Sequence, residues 1–208
     1  MLKELLKNKN FLKVINESLK NIEIVDIILF GSVVREKDKP NDIDILVLYL
    51  NESKKIENEI YGLRKNLEKI DKRFELIGKS YKEIFNSGFL ARESLLSEGF
   101  SMRNKKPLAE SFGYKSLVMF RYNLSGLSKS KRMQFYYSLN GRGKERGILN
   151  KTDSYKFSDN IIFSNISNSE FINDFFKNWE IKYSVFPLLI PINLLEKLKW
   201  CPLKKLKS

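Results

Sequence analysis

The sequence predicts an α/β (α+β) protein, in which a small mixed-sheet domain is followed by a second small α/β module. Short apolar runs alternate with segments whose apolar residues recur every three or four positions, as expected for strands joined by helices. The charge also differs between the halves: residues 1–100 contain 18 Lys and Arg against 17 Asp and Glu, whereas residues 101–208 contain 20 against 8. Because Pro107 and a basic run follow a helical pattern, we expect domains at 1–104 and 105–208.

The secondary-structure elements predicted in the first domain alternate between helices and strands. A lysine-rich amphipathic pattern predicts the first helix, continuous apolar runs predict buried strands, and Ser53 is a candidate cap for the second long helix. Predicted in chain order are helix 2–20, strand 24–30, short helix 33–39, a turn at 40–41, strand 43–49, helix 54–70, strand 74–77 and a mostly helical segment 81–100.

The second module has a similar alternation and a Gly-rich basic loop. Predicted in chain order are strand 114–124, helix 128–140 capped at Ser128 or Ser130, loop 140–147, strand 159–166, helix 167–179 and strand 181–190. Its aromatic residues either form a core or stack on nucleic-acid bases. They are Phe120, Tyr122, Phe135, Tyr136 and Tyr137.

Composition excludes several classes of protein. No apolar run approaches the roughly 20 residues that a membrane-spanning helix needs, so we expect a soluble protein that does not enter a membrane. The N-terminal segment lacks the compact apolar stretch of a signal peptide, so we expect the protein in the cytoplasm. Cys201 is the single cysteine, which rules out an internal disulfide framework and a cysteine zinc site. The chain has no histidine, so a catalytic base must be a carboxylate, a lysine or a tyrosine.

The segment LFGSVVREKDKPNDIDILVL, residues 29–48, contains the most informative motif. Asp42 and Asp44 open an apolar strand and, being two apart, project to the same side, where their charges repel unless a cation lies between them. Magnesium suits such a pair, because it binds one or two carboxylates and completes its shell with water and phosphate. Gly31 and Ser32 offer a close backbone approach and a hydroxyl for phosphate. The motif therefore predicts a site for a nucleotide triphosphate.

The segment FGSVVREKDKPNDIDILV resembles the signature of the nucleotidyltransferase superfamily that includes DNA polymerase beta, most closely its minimal nucleotidyltransferase branch. That signature is Gly-Ser, a variable spacer and Asp-x-Asp before apolar residues; here nine residues separate Ser32 from Asp42. The resemblance covers about residues 22–102. It implies transfer of a nucleoside monophosphate from a nucleotide triphosphate, ATP being the expected donor, with release of pyrophosphate. The implied acceptor is a protein, an RNA or a small molecule.

The resemblance also implies residue roles. Asp42 and Asp44 would be catalytic ligands of Mg²⁺ or Mn²⁺, and Gly31, Ser32 and Arg35 would bind the nucleotide. The third carboxylate of the family lies on the next strand, where Glu75 matches although aspartate is commoner there. Glu75 would bind metal less tightly or act as the base toward the acceptor hydroxyl. The weaker substitute is Asp71, and Lys37 either contacts phosphate or faces solvent.

Two interpretations of the basic half, residues 105–208, stay open. In the first interpretation, Arg142, Lys144 and Arg146 bind the phosphates of a polyanion, and Gly141 and Gly143 permit its close approach. In the second, the segment is an ordinary solvated hairpin. In the first hypothesis for the whole protein, a working transferase recruits RNA or a partner protein through this half. In the second, the protein binds nucleic acid without catalysis, on a vestigial nucleotidyltransferase fold. Minimal transferases often act as antitoxins that modify a partner toxin, but the extra module makes that assignment doubtful.

Overall fold

The computed structural model describes residues 2–35 and 41–197, with side chains described up to residue 194. The chain divides into two compact units, Met1–Phe112 and Gly113–Ser208. Lys37, Cys201, the predicted 40–41 turn in part, and most of the predicted helix at 33–39 lie outside the described residues. Within those residues, no helix is long and apolar enough to cross a membrane.

A five-stranded mixed sheet forms the centre of the first unit. Its spatial order is β3-β2-β1-β4-β5, with β2 and β3 parallel and the other neighbours antiparallel. The predicted mixed sheet is thus confirmed, and the predicted bounds of β1 and β2 agree with those observed. The strands are β1 (Ile24–Phe30), β2 (Ile43–Tyr49), β3 (Phe74–Ser80), β4 (Phe100–Ser101) and β5 (Lys106–Pro107).

Two of the helical segments predicted in the first unit are broken. The helix predicted over 2–20 is broken, because the Asn8 side chain accepts hydrogen bonds from the N–H groups of Asn10 and Phe11 and starts a new helix there. The helical segment predicted over 81–100 is also broken, and the Asn86 side chain accepts from the Gly88 N–H in the gap. The helices are α1 (Leu2–Leu5), α2 (Lys9–Ser18), α3 (Lys54–Glu68), α4 (Tyr81–Ile84), α5 (Arg92–Glu98) and α6 (Leu108–Ser111).

Both faces of this sheet are buried against helices. On one face, Phe11 of α2 stacks on Phe74 of β3, with ring centroids 5.6 Å apart. On the other face, buried strand residues pack against Leu95 of α5 and Leu108 of α6; they are Ile28, Phe30, Leu46 and Leu48. The predicted Ser53 cap of α3 is confirmed, since its hydroxyl accepts the Ile56 N–H. A 3-10 turn, Gly31–Val33, follows β1, and the helix predicted over 33–39 is described only at its first three residues, which form no α-helix.

The second unit is built on an antiparallel four-stranded sheet in the order β11-β6-β10-β9, with a separate two-stranded hairpin of β7 and β8. The strands are β6 (Tyr114–Asn123), β7 (Gly141–Arg142), β8 (Glu145–Arg146), β9 (Tyr155–Ser158), β10 (Ile161–Asn165) and β11 (Lys182–Pro191). The helices are α7 (Lys129–Asn140), capped by Ser128, α8 (Ile148–Lys151), α9 (Ser169–Asn178) and α10 (Ile192–Lys197).

An aromatic cluster forms the core of the second unit. Phe120 and Tyr122 of β6 contact Phe176 of α9 at ring-centroid distances of 5.7 and 5.2 Å, and Phe135 of α7 lies 5.5 Å from Tyr122. These rings are buried, so three of the five predicted aromatic residues are core residues. Tyr136 is half-buried and Tyr137 is exposed.

Candidate metal and nucleotide site

Three carboxylates meet where β2 begins. Asp42 directly precedes β2, Asp44 lies within it, and Glu75 lies in the neighbouring strand β3. The parallel register places Asp44 opposite Glu75, and the antiparallel register places Asp44 opposite Phe30, the last residue of β1. Sheet pairing therefore brings together residues that are 31 positions apart in the sequence.

The geometry of this cluster suits a hard divalent cation. One oxygen from each of Asp42, Asp44 and Glu75 lies within 4.8 Å of the other two. Asp42 and Asp44 are half-buried, whereas Glu75 is exposed at the sheet edge. Carboxylate oxygens are the donors that Mg²⁺ and Mn²⁺ prefer, and an open side leaves room for water and phosphate. The predicted residues thus form a donor set that fits such an ion.

Electrostatics in the cluster are unfavourable without a cation. Burial raises the pKa of the Asp44 carboxyl above its ordinary value, and the charges of Asp42 and Glu75 raise it further. The positive charge of Arg35 acts in the opposite direction on the same pKa. A bound cation would relieve the repulsion among the three carboxylates.

Gly31 sits directly against this cluster. Its φ is +72°, in the left-handed region that favours glycine, and a Cβ at this position would lie 2.5 Å from Asp44 Oδ2. The glycine was predicted to allow close approach to a phosphate; the structure shows close approach to a carboxylate. The Ser32 hydroxyl makes only a long contact, 3.5 Å, with the carbonyl oxygen of Asp42.

A comparison with protein families matches the segment that contains this arrangement. Residues 13–88 match the family described as Polymerase beta, Nucleotidyltransferase. This segment is therefore similar to nucleotidyltransferase domains of the polymerase beta superfamily. The predicted resemblance is therefore confirmed at the level of the superfamily, while the minimal branch stays a prediction. A comparison with curated proteins gave no match.

The match contains every residue of the predicted nucleotidyltransferase site. It begins within α2 and ends at Gly88, so it leaves the whole second unit unmatched. The individual roles of the site residues stay predictions. The structure places most of these residues at one end of the five-stranded sheet, where β1 ends and β2 begins. The superfamily assignment gives the carboxylate cluster a chemical context, namely nucleotide transfer.

Arg35 of the nucleotidyltransferase domain has a partner that the sequence did not reveal. Its Nη1 lies 2.6 Å from Glu98 Oε2, and both side chains are partly buried, with 33% and 14% exposed. Glu98 ends α5, 63 positions along the chain, and no local pattern connects the two residues. The ion pair holds the Arg35 guanidinium near the carboxylate cluster, where its positive charge acts to lower the pKa of Asp44.

Asp71, the substitute considered for Glu75, is engaged elsewhere. Its carboxylate accepts hydrogen bonds from the Arg73 guanidinium, the shortest at 2.6 Å, which hold its pKa below the ordinary value. Among the described residues, the cluster that could hold a metal contains Glu75 and omits Asp71. Glu75 is therefore the better candidate for the third carboxylate.

The predicted polyanion residues Arg142, Lys144 and Arg146 lie on or between β7 and β8, and all three are exposed. The Arg142 guanidinium lies 4.7 Å from the centre of the Tyr137 ring. A Cβ at Gly141 would collide with the Glu145 carbonyl oxygen, so this glycine lets the hairpin close. The loop is thus a hairpin, and its predicted role in binding phosphate stays untested.

Proposed function

We propose that the nucleotidyltransferase domain transfers a nucleoside monophosphate from a nucleotide triphosphate, with ATP as the expected donor, to a hydroxyl of an acceptor. An acceptor oxygen bonds to the α-phosphorus, the bond from that phosphorus to the bridging oxygen breaks, and pyrophosphate leaves. The hydroxyl proton passes to a base. The observation that carries this proposal is the meeting of three carboxylate oxygens within 4.8 Å, next to Gly31.

The ion expected here is Mg²⁺ or Mn²⁺, held by Asp42, Asp44 and Glu75. When bound, it would neutralise triphosphate charge and stabilise the attacking and leaving oxygens. The fit rests on the oxygen donors and on the environment of Asp44, whose pKa is raised by burial and then by the charges of Asp42 and Glu75.

The chain's own residues position the reactants. The Ser32 hydroxyl, which makes only a long protein contact, is the expected donor to a triphosphate oxygen. Arg35 supplies a fixed positive charge because Glu98 anchors its guanidinium. Glu75 is the exposed carboxylate of the three and is the expected base for the acceptor hydroxyl.

The acceptor is a protein, an RNA or a small molecule. The basic second unit is the expected contact for an RNA or a partner protein, with the β7–β8 hairpin as one surface. The alternative is a non-catalytic nucleic-acid-binding protein, favoured by the excess charge of that unit: residues 113–208 contain 17 Lys and Arg against 7 Asp and Glu. We expect either protein to act in the cytoplasm.

The test removes two ligand charges without removing side-chain volume. In Asp42→Asn/Asp44→Asn, we expect Mn²⁺ binding and pyrophosphate release from ATP to be lost. The free energy of unfolding should not fall, because the substitution removes carboxylate repulsion. Purified protein would be incubated with Mg²⁺ and each labelled nucleotide triphosphate, with and without total RNA.

The matched control is Glu59→Gln/Glu68→Gln, which removes the same charge from exposed positions of α3. It should retain both Mn²⁺ binding and pyrophosphate release. Unchanged transfer in the aspartate variant would end the catalytic assignment. A wild-type protein that binds Mn²⁺ and ATP but releases no pyrophosphate with any acceptor would favour the non-catalytic alternative.

A further inference from the structure

The second unit contains a polar cleft that is lined by residues of this unit. It lies at the end of the four-stranded sheet, where β6 ends, β11 begins and β9 turns into β10. Its volume of about 650 Å³ is within the range of roughly 300–1,000 Å³ that is typical of ligand sites. The lining residues that matter here are Arg121, Asn123, Arg132, Tyr136, Asp159 and Lys182.

The charge in the cleft is predominantly positive. The lining contains three basic residues, Arg121, Arg132 and Lys182, and one carboxylate, Asp159, which Lys156 already binds at 2.8 Å. That ion pair holds the pKa of Asp159 below its ordinary value. Among residues 2–35 and 41–197, none of the three lining cations forms an ion pair with a carboxylate. The cleft therefore offers three positive groups to an anionic ligand.

The sheet and one loop fix the positions of these cations. Arg121 pairs with Ser184 across β6 and β11, and Lys182 pairs with Asn123. Arg121 and Lys182 are therefore diagonal neighbours on one face of the sheet. Arg132 and Tyr136, in contrast, reach the cleft from α7, which packs on the other face, so the cleft surrounds the end of the sheet. The Arg132 guanidinium donates to the carbonyl oxygens of Leu127, at 2.9 Å, and Ser125, at 3.1 Å, which orient it and leave other N–H groups for a ligand.

An aromatic ring completes the lining. Tyr136 of α7 is half-buried, in contrast to the adjacent Phe135, which is fully buried in the aromatic core. Lys156 lies 5.4 Å from the centre of the Tyr136 ring, which adds a fourth cation close to this wall of the cleft. Cations combined with an aromatic side chain are typical of proteins that bind single-stranded nucleic acid, since the ring stacks on a base while the cations contact phosphates.

We propose that this cleft binds single-stranded nucleic acid, with phosphates at Arg121, Arg132 and Lys182 and a base against Tyr136. Most of the lining side chains are exposed, so a strand can enter and leave the cleft. The unit's excess of basic residues extends well beyond the cleft, which favours a long polyanion over a free nucleotide. This binding does not depend on nucleotide transfer by the first unit.

The test measures binding of a fluorescent single-stranded RNA of 12 nucleotides to the full chain, by fluorescence anisotropy over a series of salt concentrations. Divalent ions and triphosphates are left out, so the result does not depend on the transferase site. In Arg121→Gln/Lys182→Gln, we expect the slope of log affinity against log salt to flatten by about 1.4, since each phosphate contact to a single strand contributes roughly 0.7. Both residues are exposed, so the variant should fold, which its thermal unfolding would verify.

The matched control is Lys129→Gln/Lys151→Gln, which removes the same charge from exposed positions of α7 and α8 that do not line the cleft. It should leave the slope close to that of the wild type. An equal decrease of the salt slope in both variants would overturn the cleft assignment. The basic residues would then contribute through the net charge of the unit, not through a defined site. An absence of any RNA binding by the folded wild type would overturn it as well.

A second variant tests the aromatic contact independently. Tyr136→Leu should weaken RNA binding by about 5- to 150-fold at every salt concentration while leaving the slope unchanged. Single-stranded DNA of the same sequence should bind with a similar salt slope, since stacking and phosphate contacts do not need the 2′-hydroxyl. If AMP or ATP bound as tightly as the 12-nucleotide strand, the cleft would be a mononucleotide site and the proposal would be wrong.

Discussion

Replacing Gly31 by alanine changes the carboxylate cluster through a single added carbon. The new Cβ would lie 2.5 Å from Asp44 Oδ2, whereas ordinary contact at such a position begins at 3.4 Å. Either the Asp44 carboxylate or the turn after β1 must therefore move by about 0.9 Å. The left-handed backbone at Gly31, with φ of +72°, adds a cost of roughly 1–2 kcal/mol for any residue with a Cβ.

These two effects predict a functional loss much larger than the loss of stability. The free energy of unfolding should fall by about 1–2 kcal/mol from the backbone. A displacement of about 1 Å at a catalytic group typically lowers turnover by about 100-fold. We expect Gly31→Ala to lower Mn²⁺ affinity by about 10- to 100-fold, the range seen when supporting contacts of metal ligands are lost.

The chain offers a control that separates strain from collision. Gly113 has φ of +78°, but a Cβ there would meet nothing within 4 Å. Gly113→Ala should therefore cost a similar 1–2 kcal/mol and leave Mn²⁺ affinity unchanged. Calorimetric titration of Mn²⁺ and urea unfolding would measure both quantities. Wild-type ion affinity in Gly31→Ala would show that Asp44 is not a ligand or that the turn yields without disturbing it.

Two further predictions concern single carboxylates. Glu75→Gln should lower turnover far more than triphosphate affinity if Glu75 serves the attacking hydroxyl, and an unchanged rate of pyrophosphate release would remove that role. Glu83 accepts hydrogen bonds from Lys79 and Ser80, which lower its pKa to about 2. Its stabilising contribution is therefore present above about pH 4.5 and lost as pH falls toward 2. Because the Glu83 side chain is 32% exposed, solvent screening reduces the contribution, and we expect about 1 kcal/mol. Urea unfolding from pH 5 to 2 should show this loss in the wild type and a much smaller one in Glu83→Gln.

The strands at the centre of the first unit were the most predictable part of the fold. Ile24–Phe30 and Ile43–Tyr49 are buried on both faces, so their sequences are nearly continuous apolar runs with clear ends. The Asp42 and Asp44 pair was predictable for the same reason, since two acids stand out before such a run. The cap at Ser53 followed from the helical spacing of the apolar residues after it.

The elements that were missed depend on contacts with little local signal. β4 and β5 have two residues each, too few for a periodic pattern, and they are defined by pairing with β1 and with each other. The break at Asn8 depends on a side chain that caps a helix, in a segment whose apolar spacing continues through it. The Arg35–Glu98 ion pair joins residues far apart in sequence, so it emerges only once α5 has packed beside the turn after β1.

The position of Glu75 shows how burial on one face of a sheet builds a site on the other. Phe74 and Leu76 are buried, and Phe74 stacks on Phe11 of α2, so the strand cannot shift by one residue without exposing both. Because side chains alternate along a strand, the residue between them must project to the opposite face. The parallel register then places Glu75 beside Asp44. Glu75 is thus held in place by apolar contacts that it does not make itself. The sequence pointed to Glu75 only through the family resemblance, which places a third acidic residue on the next strand, and the pairing of β2 with β3 supplies the physical reason that it meets Asp44.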